Sequence, residues 1–189
     1  MIGILDYGMG NLKSVKNSLS FLAIESLIIE SSNQFQDISH LIIPGVGAFP
    51  MAMERIREKG FLGPIKSFAE SGHPVLGICL GMQLLADTGT EVKECDGLGL
   101  IPGRIELMAP KGLRIPHIGW NALELKQSSV LLEQVKKTAD VYFVHSYHFN
   151  ASNEDNIVAI TPYGDDVVSI VQNAKGNVIG TQFHPEKSQ

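Results

Sequence analysis

Between Val75 and Gln83 the chain reads Val-Leu-Gly-Ile-Cys-Leu-Gly-Met-Gln, and few folds accommodate that string. An apolar run leads into Gly77, and Met82-Gln83-Leu84-Leu85 reads as the start of a helix. Cys79 lies between them with a glycine two residues away on either side. A turn this tight from strand to helix strains the backbone at its apex, where side chains on the neighbours would collide. The pattern is a nucleophile elbow that carries a thiol. It directs the sulfur out of the carboxyl edge of a sheet, at a helix start whose dipole and free N–H groups favour an anion. A buried core cysteine is the plainer alternative, and the two glycines between strand and helix weigh against it.

A nucleophilic thiol needs a base, and the base needs a group to hold its ring. Gly180-Thr181-Gln182-Phe183-His184-Pro185-Glu186 supplies both at the far end of the chain. Pro185 biases His184 toward extended geometry. Residues i and i+2 of an extended segment face the same way, so Glu186 is expected to reach one nitrogen of His184 and leave the other for Cys79. The expected constellation is Cys79, His184 and Glu186. An oxyanion hole made of backbone N–H groups would complete it. One donor follows from the elbow, the N–H of Leu80. The other is expected from Pro44-Gly45-Val46-Gly47, where glycines on both sides of Val46 let its peptide rotate, so Val46 and Gly47 are the candidates.

The rest of the sequence says what kind of sheet carries these residues. Short all-apolar runs at Ile2–Leu5, Leu27–Glu30, Leu41–Ile43 and Val75–Ile78 alternate with helical patterns at Leu12–Ala23, Ala52–Lys59 and Pro64–Ser71. That alternation calls for a parallel sheet covered on both faces. The second half changes to short segments broken by Gly, Asn and Pro: 97–106, 123–125, 142–145, 157–161, 167–172 and 178–181, with one helix near Ser129–Val135. These are expected as antiparallel additions to the same sheet. The fold class is α/β: one domain over residues 1–189, with a mixed, mostly parallel sheet, helices on both faces and a nucleophile elbow.

Composition excludes several function classes. A net charge of −5 with scattered Lys and Arg leaves no basic field for nucleic acid or an anionic membrane. No apolar run approaches the ~18 residues of a membrane span, and Met1-Ile2-Gly3-Ile4-Leu5 has no signal-peptide regions. Cys79 and Cys95 stand sixteen apart with no metal-ligand spacing. Gly8-Met9-Gly10, Gly45-Val46-Gly47 and Gly97-Leu98-Gly99 all lack the third glycine of a dinucleotide loop. The expectation is a soluble cytoplasmic protein with no cofactor and no metal. Cys95, beside Glu94 and Asp96, is expected to be unreactive, and His40, His73 and His148 to be ordinary surface or packing residues.

Gly77-Ile78-Cys79-Leu80-Gly81-Met82-Gln83 together with Gln182-Phe183-His184-Pro185-Glu186-Lys187-Ser188 resembles the class I, triad-type glutamine amidotransferases. Asp6-Tyr7-Gly8-Met9-Gly10-Asn11, Pro44-Gly45-Val46-Gly47 and Pro116-His117-Ile118-Gly119-Trp120-Asn121 look like the glutaminase subunits of imidazole glycerol phosphate synthases. The resemblance covers essentially the whole chain. It implies hydrolysis of glutamine to glutamate and ammonia, with the ammonia passed to a (β/α)8-barrel cyclase subunit in histidine biosynthesis. It also implies that Gln83, one helical turn past Cys79, holds the α-carboxylate or amino end of glutamine, helped by backbone groups of His145, Ser146 and Tyr147, with Glu91 on the ammonium. Asn11, Trp120, Tyr142 and Lys187 would face the partner, and His117, in the Pro-His-Ile-Gly-Trp-Asn segment, is the one histidine besides His184 expected to be functional. Family members continue into a C-terminal helix, whereas this sequence stops three residues after Glu186: either the chain is an unusually short member or it runs on past Gln189, and only a helix truly missing would leave one flank of the sheet exposed. Other readings stay open: the same glutaminase serving a different synthase, such as one aminating a sugar nucleotide; a stand-alone cysteine hydrolase of γ-glutamyl bonds; or a non-catalytic scaffold.

Overall fold

The computed structural model describes residues 1–133 and 140–188. The chain runs β1 (Ile2–Leu5), α1 (Leu12–Phe21), β2 (Ser26–Ile29), β3 (His40–Gly45), α2 (Phe49–Glu58), α3 (Leu62–Glu70), β4 (Val75–Cys79) and α4 (Leu80–Leu84). Smaller strands follow: β5 (Thr88–Gly89), β6 (Cys95–Asp96), β7 (Gly103–Leu107), β8 (His117–Ala122), β9 (Glu124–Leu125), β10 (Asp140–His145) and β11 (Tyr147–Ala151). The described chain closes with β12 (Ile157–Tyr163), β13 (Asp165–Gln172) and β14 (Val178–Thr181).

Eight strands form the main sheet in the order β2-β1-β3-β4-β14-β13-β12-β9. The first five are parallel and the last three join antiparallel. Alternate residues of the parallel strands feed two cores, as period-2 geometry requires. Ile4, Ile42 and Ile78 pack with Val15 and Leu19 of α1 on one face. Leu5, Leu41 and Ile43 pack on the other face with Phe49, Met53 and Ile56 of α2 and Ile65 and Phe68 of α3. α1 starts where the Asn11 side chain accepts from the Ser14 N–H, the usual work of an N-cap. Pro50 lies in the first turn of α2, where its missing N–H costs nothing.

The second half departs from expectation in four ways. β14 is no antiparallel addition: it lies beside β4 and parallel to it, with Thr181 paired to Ile78. β8 and β10 form a separate two-stranded ribbon, and β11-β7-β5-β6 form a four-stranded sheet of their own. Of the expected strand 97–106 only Gly103–Leu107 is extended, because Gly97, Leu98 and Gly99 turn back to bond carbonyls of Asp87, Leu84 and Ala86. The helix expected near Ser129–Val135 is a short 3-10 turn at Val130–Leu132, and Gln134 and Val135 lie outside the described residues.

Candidate active site

The register of the parallel strands builds the site. β4 ends at Cys79, and the segment leaving β14 one strand away carries Gln182, Phe183 and His184 over the same edge. Cys79 has φ +55° and ψ −110°, a region non-glycine residues occupy only at a cost of about 1–3 kcal/mol. The flanking glycines act differently from the sequence expectation. They admit neighbouring backbone, not the nucleophile's own side chain. A Cβ at Gly77 would lie 2.5 Å from the carbonyl oxygen of Gly81, and one at Gly81 would overlap the Ile43 carbonyl of β3. The elbow is therefore pressed against the adjacent strand.

His184 Nδ1 lies 2.8 Å from Glu186 Oε1, with both side chains almost wholly buried. The expected pairing forms by a different route: Pro185–Lys187 is a 3-10 turn, so Glu186 curls back to the ring and does not reach it along an extended strand. Burial disfavours a charged His184, but Cys79 and Glu186 outweigh it and raise its pKa to about 9. Cys79 is the stronger of these two upward influences, yet His184 Nε2 has no bond of hydrogen-bonding geometry and Glu186 Oε2 is equally unpartnered. The nitrogen facing the reaction space is thus free.

A cavity of about 530 Å³ opens above the sulfur. Cys79 and His184 line it together with Leu80, Val46 and Gly47, and with Gln83, Glu91, Ser146 and Tyr147. The structure thus brings the oxyanion and glutamine-binding candidates to one space, with Glu186 behind His184. The loop Pro44–Gly47 is asymmetric, unlike the freely rotating unit expected. Gly45 pairs with Cys79 in the sheet, and a Cβ there would strike the Tyr7 hydroxyl and Leu80. Only Gly47, at φ +107°, holds a left-handed conformation. Tyr7 is fully buried beneath the loop and donates to the Pro44 carbonyl at 2.8 Å. Burial, then the charge of Cys79, pushes its phenol far above the ordinary range.

Gln83 Nε2 donates to the Tyr147 carbonyl at 3.0 Å and to Gln182 Oε1 at 3.1 Å. This leaves the Gln83 oxygen for the cavity, which suits an ammonium and not a carboxylate. Glu91 Oε2 accepts from the Phe49 N–H at 2.7 Å, so it also caps α2. His117 is fully buried and is absent from the cavity wall, which rules out direct contact with a ligand there. Sequence reasoning gave no side-chain role to Tyr7, His145 or Gln182, whose Nε2 lies 3.8 Å from Cys79 Sγ. Gln182, two residues before His184, was the most findable of them. Trp120 and Tyr142 pair across the β8–β10 ribbon, their rings 5.6 Å apart, and Lys187 Nζ lies 5.6 Å from the centre of the Tyr142 ring. Asn11 starts α1, which packs against the Pro185–Lys187 turn. Ile118 pairs with Val144 on the ribbon, and both are exposed. Cys95 is half-buried, and burial chiefly raises its pKa, with Asp96 adding to this against Arg57 and Lys93. Among the described residues no His, Cys, Asp or Glu cluster could hold a metal ion, and no helix is long and apolar enough to cross a membrane.

The sequence matches the family profile "Glutamine amidotransferase class-I" over residues 3–189. The chain belongs to that family. Imidazole glycerol phosphate synthase subunit HisH of Desulfitobacterium hafniense is 45% identical over 188 residues, covering 100% of this chain and 88% of the relative. The same subunit of Caldanaerobacter subterraneus subsp. tengcongensis is 43% identical, covering 100% and 91%. A crystal structure of a glutamine amidotransferase superposes with a TM-score of 0.77 over 98% of this chain and 90% of that one, at 24% identity. That likeness is one of fold. A class-I amidotransferase is a glutaminase, and the cavity above Cys79 is the place in this chain where that chemistry fits.

Proposed function

We propose that this chain is the glutaminase subunit of an imidazole glycerol phosphate synthase in histidine biosynthesis. A single observation carries the chemistry: a strained Cys79 and a Glu186-bound His184 face one cavity whose far wall offers the Gln83 oxygen and Glu91. The Cys79 sulfur attacks the side-chain amide carbon of glutamine. Charge builds on the amide oxygen, where the Leu80 N–H and an N–H of the Val46–Gly47 loop receive it. As the C–N bond breaks, His184 Nε2 gives its proton to the departing nitrogen, which leaves as ammonia. Water then attacks the thioester, passing a proton to His184, and glutamate departs with the thiol restored.

Residues 1–189 act as one amidotransferase unit in the cytoplasm, and the ammonia user is a separate (β/α)8-barrel cyclase subunit. It docks on the ribbon face that exposes Ile118, Trp120 and Val144 beside Tyr142 and Lys187, an apolar patch flanked by polar groups. The identities of 45% and 43% to HisH subunits support this customer over another synthase. Glutaminase activity is measured for the chain with and without the cyclase subunit and its acceptor ligand. Glutamine turnover coupled to imidazole glycerol phosphate formation is expected. Equal, uncoupled turnover in both samples would point instead to a stand-alone hydrolase.

A further inference from the structure

Three polar side chains have no part in the chemistry just described: His145 on the cavity wall, and His117 and Asn121 behind it. His117 is fully buried, stacked on Tyr163 at 4.0 Å and on Phe143 at 4.6 Å. Ring nitrogens in such surroundings are costly unless paired, and all four here are paired. The direction of every bond follows from one fixed point. The Tyr147 carbonyl can only accept, so His145 Nδ1 carries the hydrogen and donates to it at 2.8 Å. Burial above all keeps His145 neutral, its pKa down at about 4. Its Nε2 is therefore bare and accepts from His117 Nδ1 at 3.1 Å. Burial likewise lowers His117 to about 4, so its own bare Nε2 accepts from Asn121 Nδ2 at 2.8 Å. Both rings are locked with the hydrogen on Nδ1.

The chain of bonds ends on the carbonyl that also receives Gln83 Nε2. A Gln83 amide turned the other way would set its oxygen against the Tyr147 oxygen. It would also offer the cavity N–H groups, which fit a carboxylate and repel an ammonium. We infer that His145, held in a single tautomer by His117 and Asn121, is a positioning residue. It fixes the Tyr147 carbonyl, hence the direction of the Gln83 amide, hence the cavity's preference for a substrate that carries an α-ammonium. The inference rests on the glutaminase reading above.

The probe is 4-carbamoylbutanoate, which is glutamine with hydrogen in place of the ammonium. It is tested as a competitive inhibitor of glutamine hydrolysis in the complex with the cyclase subunit, for the wild type, His145→Phe and His117→Phe. A hydrogen bond to a charged group is worth roughly tenfold or more in binding. Each variant is expected to raise KM for glutamine about tenfold, to change kcat far less, and to leave inhibition by the desamino compound nearly unchanged. The preference for the ammonium then shrinks by the same factor. A folded variant that keeps the wild-type preference would overturn the inference. The ring tautomers are read independently, without any variant, by 15N imidazole resonances of the native complex. Protonated Nδ1 and bare Nε2 on both rings are expected, and a hydrogen on Nε2 of His145 would also overturn it. Failure of the glutaminase reading is recognised separately, by a wild-type complex that does not hydrolyse glutamine at all.

Discussion

Replacing Glu186 by glutamine separates what its charge does from what its hydrogen bond does. The amide oxygen can still accept from His184 Nδ1–H across the 2.8 Å contact, but the charge that helps hold the ring protonated is gone. The wild-type ring has its pKa raised from 6.5 to about 9. It therefore carries the proton destined for the leaving ammonia until the pH rises through about 9, and activity falls above that. Loss of an adjacent opposite charge moves a pKa by roughly 1–3 units, which brings the variant's alkaline limb to between about 6 and 8. With a limb near 7, the protonated fraction at pH 8 drops from about nine-tenths to about one-tenth, so kcat/KM falls about tenfold there and hardly at all near pH 6. The sign for stability is the same. The ring's contribution is full below 6.5 and is lost as pH rises through about 9. The assay is kcat/KM for glutamine against pH in the liganded complex. An alkaline limb that stays at the wild-type position, with a uniform loss at every pH, would show that Glu186 only props the ring and would refute the electrostatic reasoning.

Cys79→Ala is expected to lower glutamine turnover by on the order of 10⁴–10⁶ while synthesis from added ammonia continues; turnover at a tenth of normal would remove Cys79 from its role. Trp120→Ala removes the largest exposed ring of the ribbon and should weaken the complex by about 2 kcal/mol or more, roughly thirtyfold in Kd, as measured by titration calorimetry; an unchanged Kd would move the interface elsewhere. Gly47→Ala puts a Cβ at φ +107° and 2.8 Å from Met9 Cε. If the Val46–Gly47 peptide must turn to offer its N–H, kcat in the liganded complex should fall by about 10²–10³ with little change in KM, and a fully active variant would mean the loop is merely structural.

The parallel half of the sheet was legible because its signals are local. Continuous apolar runs such as Ile2–Leu5 and Val75–Cys79 have few other fates, and β1 and β14 match the expected bounds. Cys79 was legible for the same reason: two glycines within five residues mark the elbow. The second half was not, because its strands are short and their partners far away. β8 runs straight through Gly119, and Trp120 finds Tyr142 across the ribbon, yet no spacing within either segment announces the pairing. The position of β14 beside β4 was equally hidden, since parallel order is set by packing across the sheet. His184 illustrates the gap. Its pairing with Glu186 could be expected, but the 3-10 turn that achieves it could not. Gln182 stood beside His184 in the same motif and His145 stood in a segment of backbone interest, but the roles of their side chains depend on buried bonds to residues far along the chain.

The placement of Tyr142 joins the proposed docking face to the chemistry. Its ring lies on the ribbon beside Trp120, and its carbonyl accepts the His184 N–H at 3.0 Å. Its own N–H reaches Ser188 Oγ at 3.3 Å, and that hydroxyl bonds the His184 carbonyl at 2.8 Å. A partner seated on Trp120 and Tyr142 would therefore rest on the strand that holds His184, the proposed catalytic base, by its backbone. The other movable part is smaller. With Gly45 packed against Tyr7 and Leu80, and the Pro44 carbonyl bonded by the Tyr7 hydroxyl, any rotation near the oxyanion is confined to the peptides around Val46 and Gly47. Val46 is itself exposed at the cavity rim, within reach of whatever covers the mouth. Activation then needs no rearrangement of the sheet. If activation requires the Val46–Gly47 peptide to present its N–H, the turn of that one peptide at the rim is enough, and a single donor carries about 10²–10³ in rate.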